Sequence, residues 1–158
     1  MGETLRLRLG QSNFASDHHE ALLGLMMAAT TVIDAVDAVC QKHGVTRAQY
    51  NVLRILRGAP EGHARCEIAS RLIERAPDVT RMIDRLLQQG MIERRASDKD
   101  RRLSIAKITR KGLNLLDRMQ PEVDEVTARL SSKLSSAEAS ELLRLCERLI
   151  EGAEPAGD

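Results

Sequence analysis

Between residues 17 and 42, apolar side chains recur at Leu22, Leu25, Met26, Ala29, Val32, Ile33, Val36, Val39 and Cys40. Spacings of three and four over that length predict an amphipathic helix of about seven turns, with Gly44 placed to end it. Thr46 and Gln49 then have capping-box spacing, and Val45 and Tyr50 occupy the two positions of a hydrophobic staple, so "VTRAQYNVLRIL" predicts a second helix. "RGAPEGH" breaks the chain, and "CEIASRLIER" predicts a short third helix at about 66–75. A fourth is predicted over 77–89, with Pro77 at its first position and Asp78 beside the positive end of its dipole. Gly90 closes it.

The period then changes. Met91–Arg94 and Leu103–Ile108 predict two short strands joined by a charged loop. Thr109 is expected to begin a long helix with Leu113, Leu116, Met119, Val123, Val126, Leu130 and Leu134 on one stripe. Pro121, inside that pattern, is expected to kink or interrupt it. Ser136 is expected to cap a final helix, with Leu142, Leu145, Cys146, Leu149 and Ile150 as its apolar face. This order predicts a mainly α fold: a winged helix-turn-helix with its β hairpin at 46–108, flanked by helices in 1–45 and 109–158. The outer stripes are too large for so small a lobe to cover, and a two-fold related copy of the chain is the simplest partner for them.

Composition narrows the core. The 158-residue chain has one Phe (Phe14), one Tyr (Tyr50) and no Trp, so its interior must be aliphatic, which favours helix-on-helix packing. No apolar run approaches the roughly 18 residues that span a bilayer, and "MGETLRLRLGQSNF" lacks the apolar stretch of a signal peptide. No membrane association is therefore expected. Cys40, Cys66 and Cys146 are scattered, with no CxxC pair, which points to small core residues in a reducing cytoplasm.

Charge adds a direction. The net charge is only +1, yet residues 77–111 carry 10 basic and 5 acidic side chains, and residues 112–158 carry 5 and 10. A polyanion would dock on the basic middle. There, the predicted helix 77–89 sets Val79, Ile83, Leu86 and Leu87 on one side, and Asp78, Thr80, Arg81, Asp84, Arg85 and Gln88 on the other. A short helix directly before it makes a helix-turn-helix pair, whose second helix reads base edges from its first turns. The loop supplies Arg94, Arg95, Lys99, Arg101 and Arg102 against Glu93, Asp98 and Asp100. Arginine forks suit phosphates and the narrow minor groove.

"PDVTRMIDRLLQQGMIERRASDKDRRLSIAKITRKG" (77–112) resembles the MarR family of winged helix-turn-helix regulators. The family's steps read here as Gly90-Met91-Ile92-Glu93-Arg94, Asp100-Arg101-Arg102 and Ile108-Thr109-Arg110-Lys111-Gly112. The resemblance implies a homodimer joined through its N- and C-terminal helices, which binds a palindromic operator on double-stranded DNA and usually represses transcription. It implies dimerisation segments at 1–45 and 109–158 around a DNA-binding lobe at 46–108. By the same resemblance, Arg102 takes the place of the wing arginine that enters the minor groove, braced by Asp100, and Thr80 and Arg81 match DNA-facing positions of the recognition helix. The DNA-binding set thus comprises Asp78, Thr80, Arg81, Arg85, Arg94, Arg95, Lys99, Asp100, Arg101 and Arg102. Ala64 departs from the Thr or Ser that often caps the third helix, which is expected to loosen that helix start.

Members of the family often bind small anionic or phenolic ligands near the dimerisation helices. Tyr50 is a candidate contact, or simply half of the staple. The absence of Trp sets the chain apart from the urate-responsive branch, and "HEALLGLMM" lacks the reactive cysteine of peroxide sensors. The histidines of "HHE" (18–20) point to different sides of a helix, and no third His lies near 109–134, so no metal site is assigned. No P-loop, GxSxG, HExxH or GxGxxG motif is present, so no catalytic residue and no cofactor is assigned. A ligand-released repressor leads; a redox- or metal-responsive regulator, or a winged-helix module that binds an acidic protein, stands beside it.

Overall fold

Ser16 opens the long N-terminal helix: its hydroxyl accepts the His19 N–H at 3.2 Å, and helix α2 then runs over Asp17–Lys42. In the computed structural model, which describes residues 2–11, 13–73, 78–96 and 104–152, a short helix α1 (Glu3–Leu9) precedes it. The apolar pattern does not reveal α1, because leucine and arginine alternate over Leu5–Leu9, five of its seven residues. α1 is held to α2 by the Arg6–Glu20 pair at 3.3 Å. At the far end Gly44 adopts φ +73°, and the N–H groups of Gly44 and Val45 bond the carbonyls of Gln41 and Cys40 at 3.0 and 3.1 Å. This is a Schellman stop, and it needs a residue free to take a left-handed backbone.

Helix α3 (Arg47–Arg57) starts as its sequence predicts. Thr46 Oγ1 accepts the Gln49 N–H at 3.2 Å, and Gln49 Oε1 accepts the Thr46 N–H at 2.9 Å. Val45 and Tyr50 are both buried, as a staple requires. Strand β1 (His63–Ala64) follows, then α4 (Arg65–Ser70), α5 (Val79–Gln88), β2 (Ile92–Ala96) and β3 (Ser104–Ile108). The three strands form one antiparallel sheet in the order β1-β3-β2, with Ile92 opposite Ile108 and Arg94 opposite Ala106. β1 is not legible beforehand; with only two residues it has no period of its own.

Several boundaries move. α4 stops at Ser70 instead of about 75, and the Ser70 hydroxyl bonds back to the Glu67 carbonyl at 3.0 Å, a competitor for the backbone ladder. α5 begins at Val79 with Asp78 as its cap, so Asp78 is not inside the first turn; Pro77 lies outside the described residues. β2 runs one residue later at its start and two at its end than expected, to Ala96. Helix α6 (Arg110–Ser131) passes unbroken through Pro121, contrary to an interruption. Pro121 and Asp117, whose carbonyl loses its partner, are both exposed, so water can satisfy the freed group. Ser135, not Ser136, caps helix α7 (Ser136–Glu151), because its hydroxyl accepts the Glu138 N–H at 3.3 Å.

The chain divides into two compact units, Met1–Val123 and Asp124–Asp158. In the first, Cys40, Val52, Leu53, Leu56, Ile68, Leu86, Leu116 and Met119 form an aliphatic core that water does not reach. Leu115 belongs to it as well, although the predicted stripe omits it, and Leu134 of that stripe is exposed beyond the helix. In the second unit α7 leaves Leu142, Leu143, Leu145, Leu149 and Ile150 exposed. α2 leaves Leu22, Met26 and Val32 exposed, and by length and composition it is apolar enough to cross a membrane. The expectation that no apolar segment nears that length considered only uninterrupted strings. Thr30 and Thr31 dilute the string, and Asp34 and Asp37 interrupt it with the only charges between Ala21 and Gln41. Length and composition alone do not separate a span from a helix that buries its face in protein.

Two consequences can be measured. A Cβ on Gly112 would collide with the Met91 carbonyl oxygen and stand 2.8 Å from Ile108 Cγ1. Gly112→Ala is expected to destabilise the fold by about 1–3 kcal/mol, seen as a lower urea midpoint at unchanged slope. Glu122 accepts from Lys42 Nζ at 2.9 Å and contacts His43 Nε2 at 2.9 Å, and these bonds hold its carboxyl below the ordinary carboxylate range. A carboxyl whose pKa falls on folding stabilises above its unfolded value, and that stability disappears as the pH drops through the folded value. Glu122→Gln is therefore expected to be less stable than the wild type at neutral pH. The gap should close under acid, in unfolding curves taken from about pH 7 to about pH 3.

Candidate nucleic-acid interface

α5 is held at its start by one carboxylate. Asp78 Oδ1 accepts the Arg81 N–H at 2.9 Å, which commits this member of the predicted DNA-binding set to a helix cap. Thr80 and Arg81 are then the second and third residues of the helix, where backbone N–H groups and the dipole favour an anion. Ile83 and Leu86 are buried, Val79 and Leu87 half-buried, and Thr80, Arg81, Arg85 and Gln88 face water. The predicted division of the helix into two faces is the observed one. Among the described residues, neither Arg81 nor Arg85 has an ion-pair partner.

The hairpin is tied to this helix by a residue pair that sequence reasoning missed. Arg94 Nη2 donates to Asp84 Oδ1 at 2.6 Å, bringing β2 against the middle of α5. Arg95 is on the opposite face of β2, where Nε meets Glu93 Oε1 at 2.7 Å. Lys99, Asp100, Arg101 and Arg102 lie outside the described residues, and so does the expected Asp100–Arg102 brace. The strands that carry that segment are described on both sides of it, and their register is continuous from Ala96–Ser104 to Ile92–Ile108.

α4 supplies a second residue absent from the sequence-based set. Arg65 Nη1 donates to Thr80 Oγ1 at 2.8 Å. Ala64 has no side-chain acceptor with which to cap α4, yet the helix is not left loose: Glu67 accepts the Ala64 N–H at 2.7 Å, half of a capping box. That amide is the main reason the Glu67 carboxyl sits below the ordinary range. On the same helix Arg71 Nη1 contacts His63 Nε2 at 2.8 Å, which ties its end back to β1.

α5 has a groove on each side. One, of about 260 Å³, is bounded by Thr46, Gln49, Asp78, Arg81, Met82 and Arg85. The other, of about 390 Å³, is bounded by Arg65, Cys66, Thr80, Ile83, Arg94 and Ile105, among others. Tyr50 borders neither. It is buried, with the Arg54 guanidinium 5.8 Å from its ring centre. The cysteines differ from one another. Cys40 is buried, and burial pushes its thiol up to about 11, with Asp37 adding to the effect. Cys146 is half-buried, and Cys66 is exposed at the start of α4, where only Ile68 of that helix turns inward. The expectation of three core cysteines fails for Cys66. In the "HHE" segment the His19 ring packs edge-on against Phe14, with centroids 6.3 Å apart.

Residues 45–104 match the MarR family. The HTH-type transcriptional regulator MhqR of Bacillus subtilis is 29% identical over 113 residues, covering 69% of this chain and 77% of that protein. The homoprotocatechuate degradative operon repressor of Escherichia coli is 22% identical over 133 residues, covering 84% and 89%. A MarR transcription factor from Planctomyces limnophilus is 34% identical and superposes with a TM-score of 0.64 over 85% of this chain and 98% of that one. Sco3205, a MarR family regulator from Streptomyces coelicolor solved in complex with DNA, shares the fold, with a TM-score of 0.78 and 21% identity over 92% and 94%. A recognition helix with bare arginines, a hairpin braced against it and these likenesses agree: the chain belongs to the MarR family of DNA-binding transcriptional regulators.

Proposed function

We propose that the protein is a homodimeric repressor that holds a palindromic operator and lets go when a small anionic or phenolic ligand binds. The observation that carries this reading is the exposed face of α5, where Thr80 and Arg81 of the first turn and Arg85 further along present a hydroxyl and two guanidinium groups with no ion-pair partner among the described residues. In this reading α5 enters a major groove, and Arg102, braced by Asp100, enters the neighbouring minor groove. Arg94, Arg95, Lys99 and Arg101 lie along the phosphates between them. Segment 46–108 is the DNA-binding lobe. Segments 1–45 and 109–158 join two copies through the exposed apolar residues of α2 and α7. The E. coli relative is a repressor, which supports the direction of regulation. Regulation of this kind needs no catalytic group, and it takes place where the chromosome is, in the cytoplasm. Tyr50 is the ligand-facing residue we assign.

A duplex enriched from a randomised pool should bind with an affinity that falls steeply with salt. Arg102→Ala is expected to weaken binding about tenfold or more, and to lower the log–log salt slope by about one, with the melting temperature unchanged. Unaltered operator affinity for that variant would overturn the wing assignment. Failure to enrich any duplex at low salt would favour an acidic protein partner instead. In a panel of phenolic and carboxylate compounds, the effector should raise the melting temperature. At a hundredfold excess over its dissociation constant the gain is about 2.7 kcal/mol, and the same compound should release the duplex.

A further inference from the structure

We propose that Arg65, outside the recognition helix, is a positioning residue that turns the Thr80 hydroxyl into a fixed hydrogen-bond donor towards DNA. The inference rests on the DNA-binding reading above and assigns a role to a residue that reading leaves out. A threonine hydroxyl carries one proton and two lone pairs, and on an open surface it rotates, so it discriminates poorly between donors and acceptors. Thr80 is not in that position. Arg65 Nη1 donates to its oxygen at 2.8 Å, and a guanidinium has donors only. One lone pair is thereby occupied, and the hydroxyl proton is directed away from the arginine. The positive charge also polarises the O–H bond and makes it a stronger donor. Among the described residues, no other group bonds the Thr80 hydroxyl.

Both ends of this contact are anchored. Arg65 is the first residue of α4; β1 before it pairs with β3, and the Glu67 carboxylate holds the Ala64 N–H at 2.7 Å. Thr80 lies in the turn closed by the Asp78 cap on the Arg81 N–H at 2.9 Å. With both turns pinned, the contact has only side-chain rotamer freedom left to restrict. The donor so made faces the groove and selects for acceptors there: a phosphate oxygen, purine N7, guanine O6 or thymine O4. It selects against the amino groups of adenine and cytosine.

The test is a double-mutant cycle on the full-length protein, with the duplex enriched by the wild type as probe. Arg65→Ala and Thr80→Val are each expected to weaken binding about three- to tenfold. The double variant should bind no worse than Thr80→Val alone, since without the hydroxyl Arg65 has nothing to orient. The log–log salt slope of Arg65→Ala should equal that of the wild type, because Arg65 acts through Thr80 and not on a phosphate. Arg65→Met, which keeps most of the apolar stem but has neither charge nor donor, should behave as Arg65→Ala, and melting curves confirm that each variant is folded. Losses that multiply in the double variant, a slope lower by about one, or wild-type affinity in Arg65→Ala would each overturn the inference while leaving DNA binding intact. A wild-type protein that enriches no duplex would overturn both.

Discussion

One junction sets where α5 stands against the hairpin. The Thr109 hydroxyl donates to the Gly90 carbonyl at 2.8 Å and accepts the Gly112 N–H at 3.3 Å, while the Thr109 N–H bonds the Met91 carbonyl at 3.0 Å. Lys111 Nζ adds a bond to the Gln89 carbonyl at 2.8 Å. Four elements meet in these few bonds: the end of α5, the entry to β2, the exit from β3 and the start of α6. The bonds close because Gly112 has no side chain to hold α6 away from Met91. The Ile108-Thr109-Arg110-Lys111-Gly112 signature is thus a structural clamp. It fixes the angle between α5 and the hairpin of β2 and β3.

The clamp also gives a physical path for regulation. α6 leaves the junction and continues to Ser131, beyond the first compact unit. Its first half is buried through Leu115, Leu116 and Met119, so the helix cannot slide without disturbing the core. That core has no Phe or Trp and is built of leucine, isoleucine, valine and methionine, side chains that repack between rotamers more readily than rings. A ligand that moved α6 would move the ends of α5 and β3 with it. At the other end of α2, Lys42 and His43 grip Glu122 of the same helix, a second attachment whose strength depends on charge.

How far the sequence foretold this depended on the range of each interaction. The Thr46–Gln49 box, the Gly44 stop and the two faces of α5 were legible because each is decided within a few residues of chain. The boundary errors at Asp78 and Ser135 are of the same local kind: two adjacent candidates for a cap differ only in which side chain reaches the third amide. β1 was illegible because His63 and Ala64 are a strand only by virtue of Ala106 and Ile105 opposite them. The pairs Arg94–Asp84 and Arg65–Thr80 lie 10 and 15 residues apart and join different elements, so no periodicity marks them. The basic balance of 77–111 marked the surface that α5 and the hairpin share but not the pairing of side chains on it.

That pairing is the remaining point. Asp84 places a carboxylate on a surface that must meet a polyanion, where repulsion alone would argue against it. As a stabilising contact it has little worth, since both side chains of the Arg94–Asp84 pair are about half exposed and such pairs contribute little. Its value lies in geometry: it ties Arg94 to α5 and so fixes the hairpin, while among the described residues Arg81 and Arg85 have no ion-pair partner. A surface with every arginine free would attract DNA as strongly and hold it in no defined register.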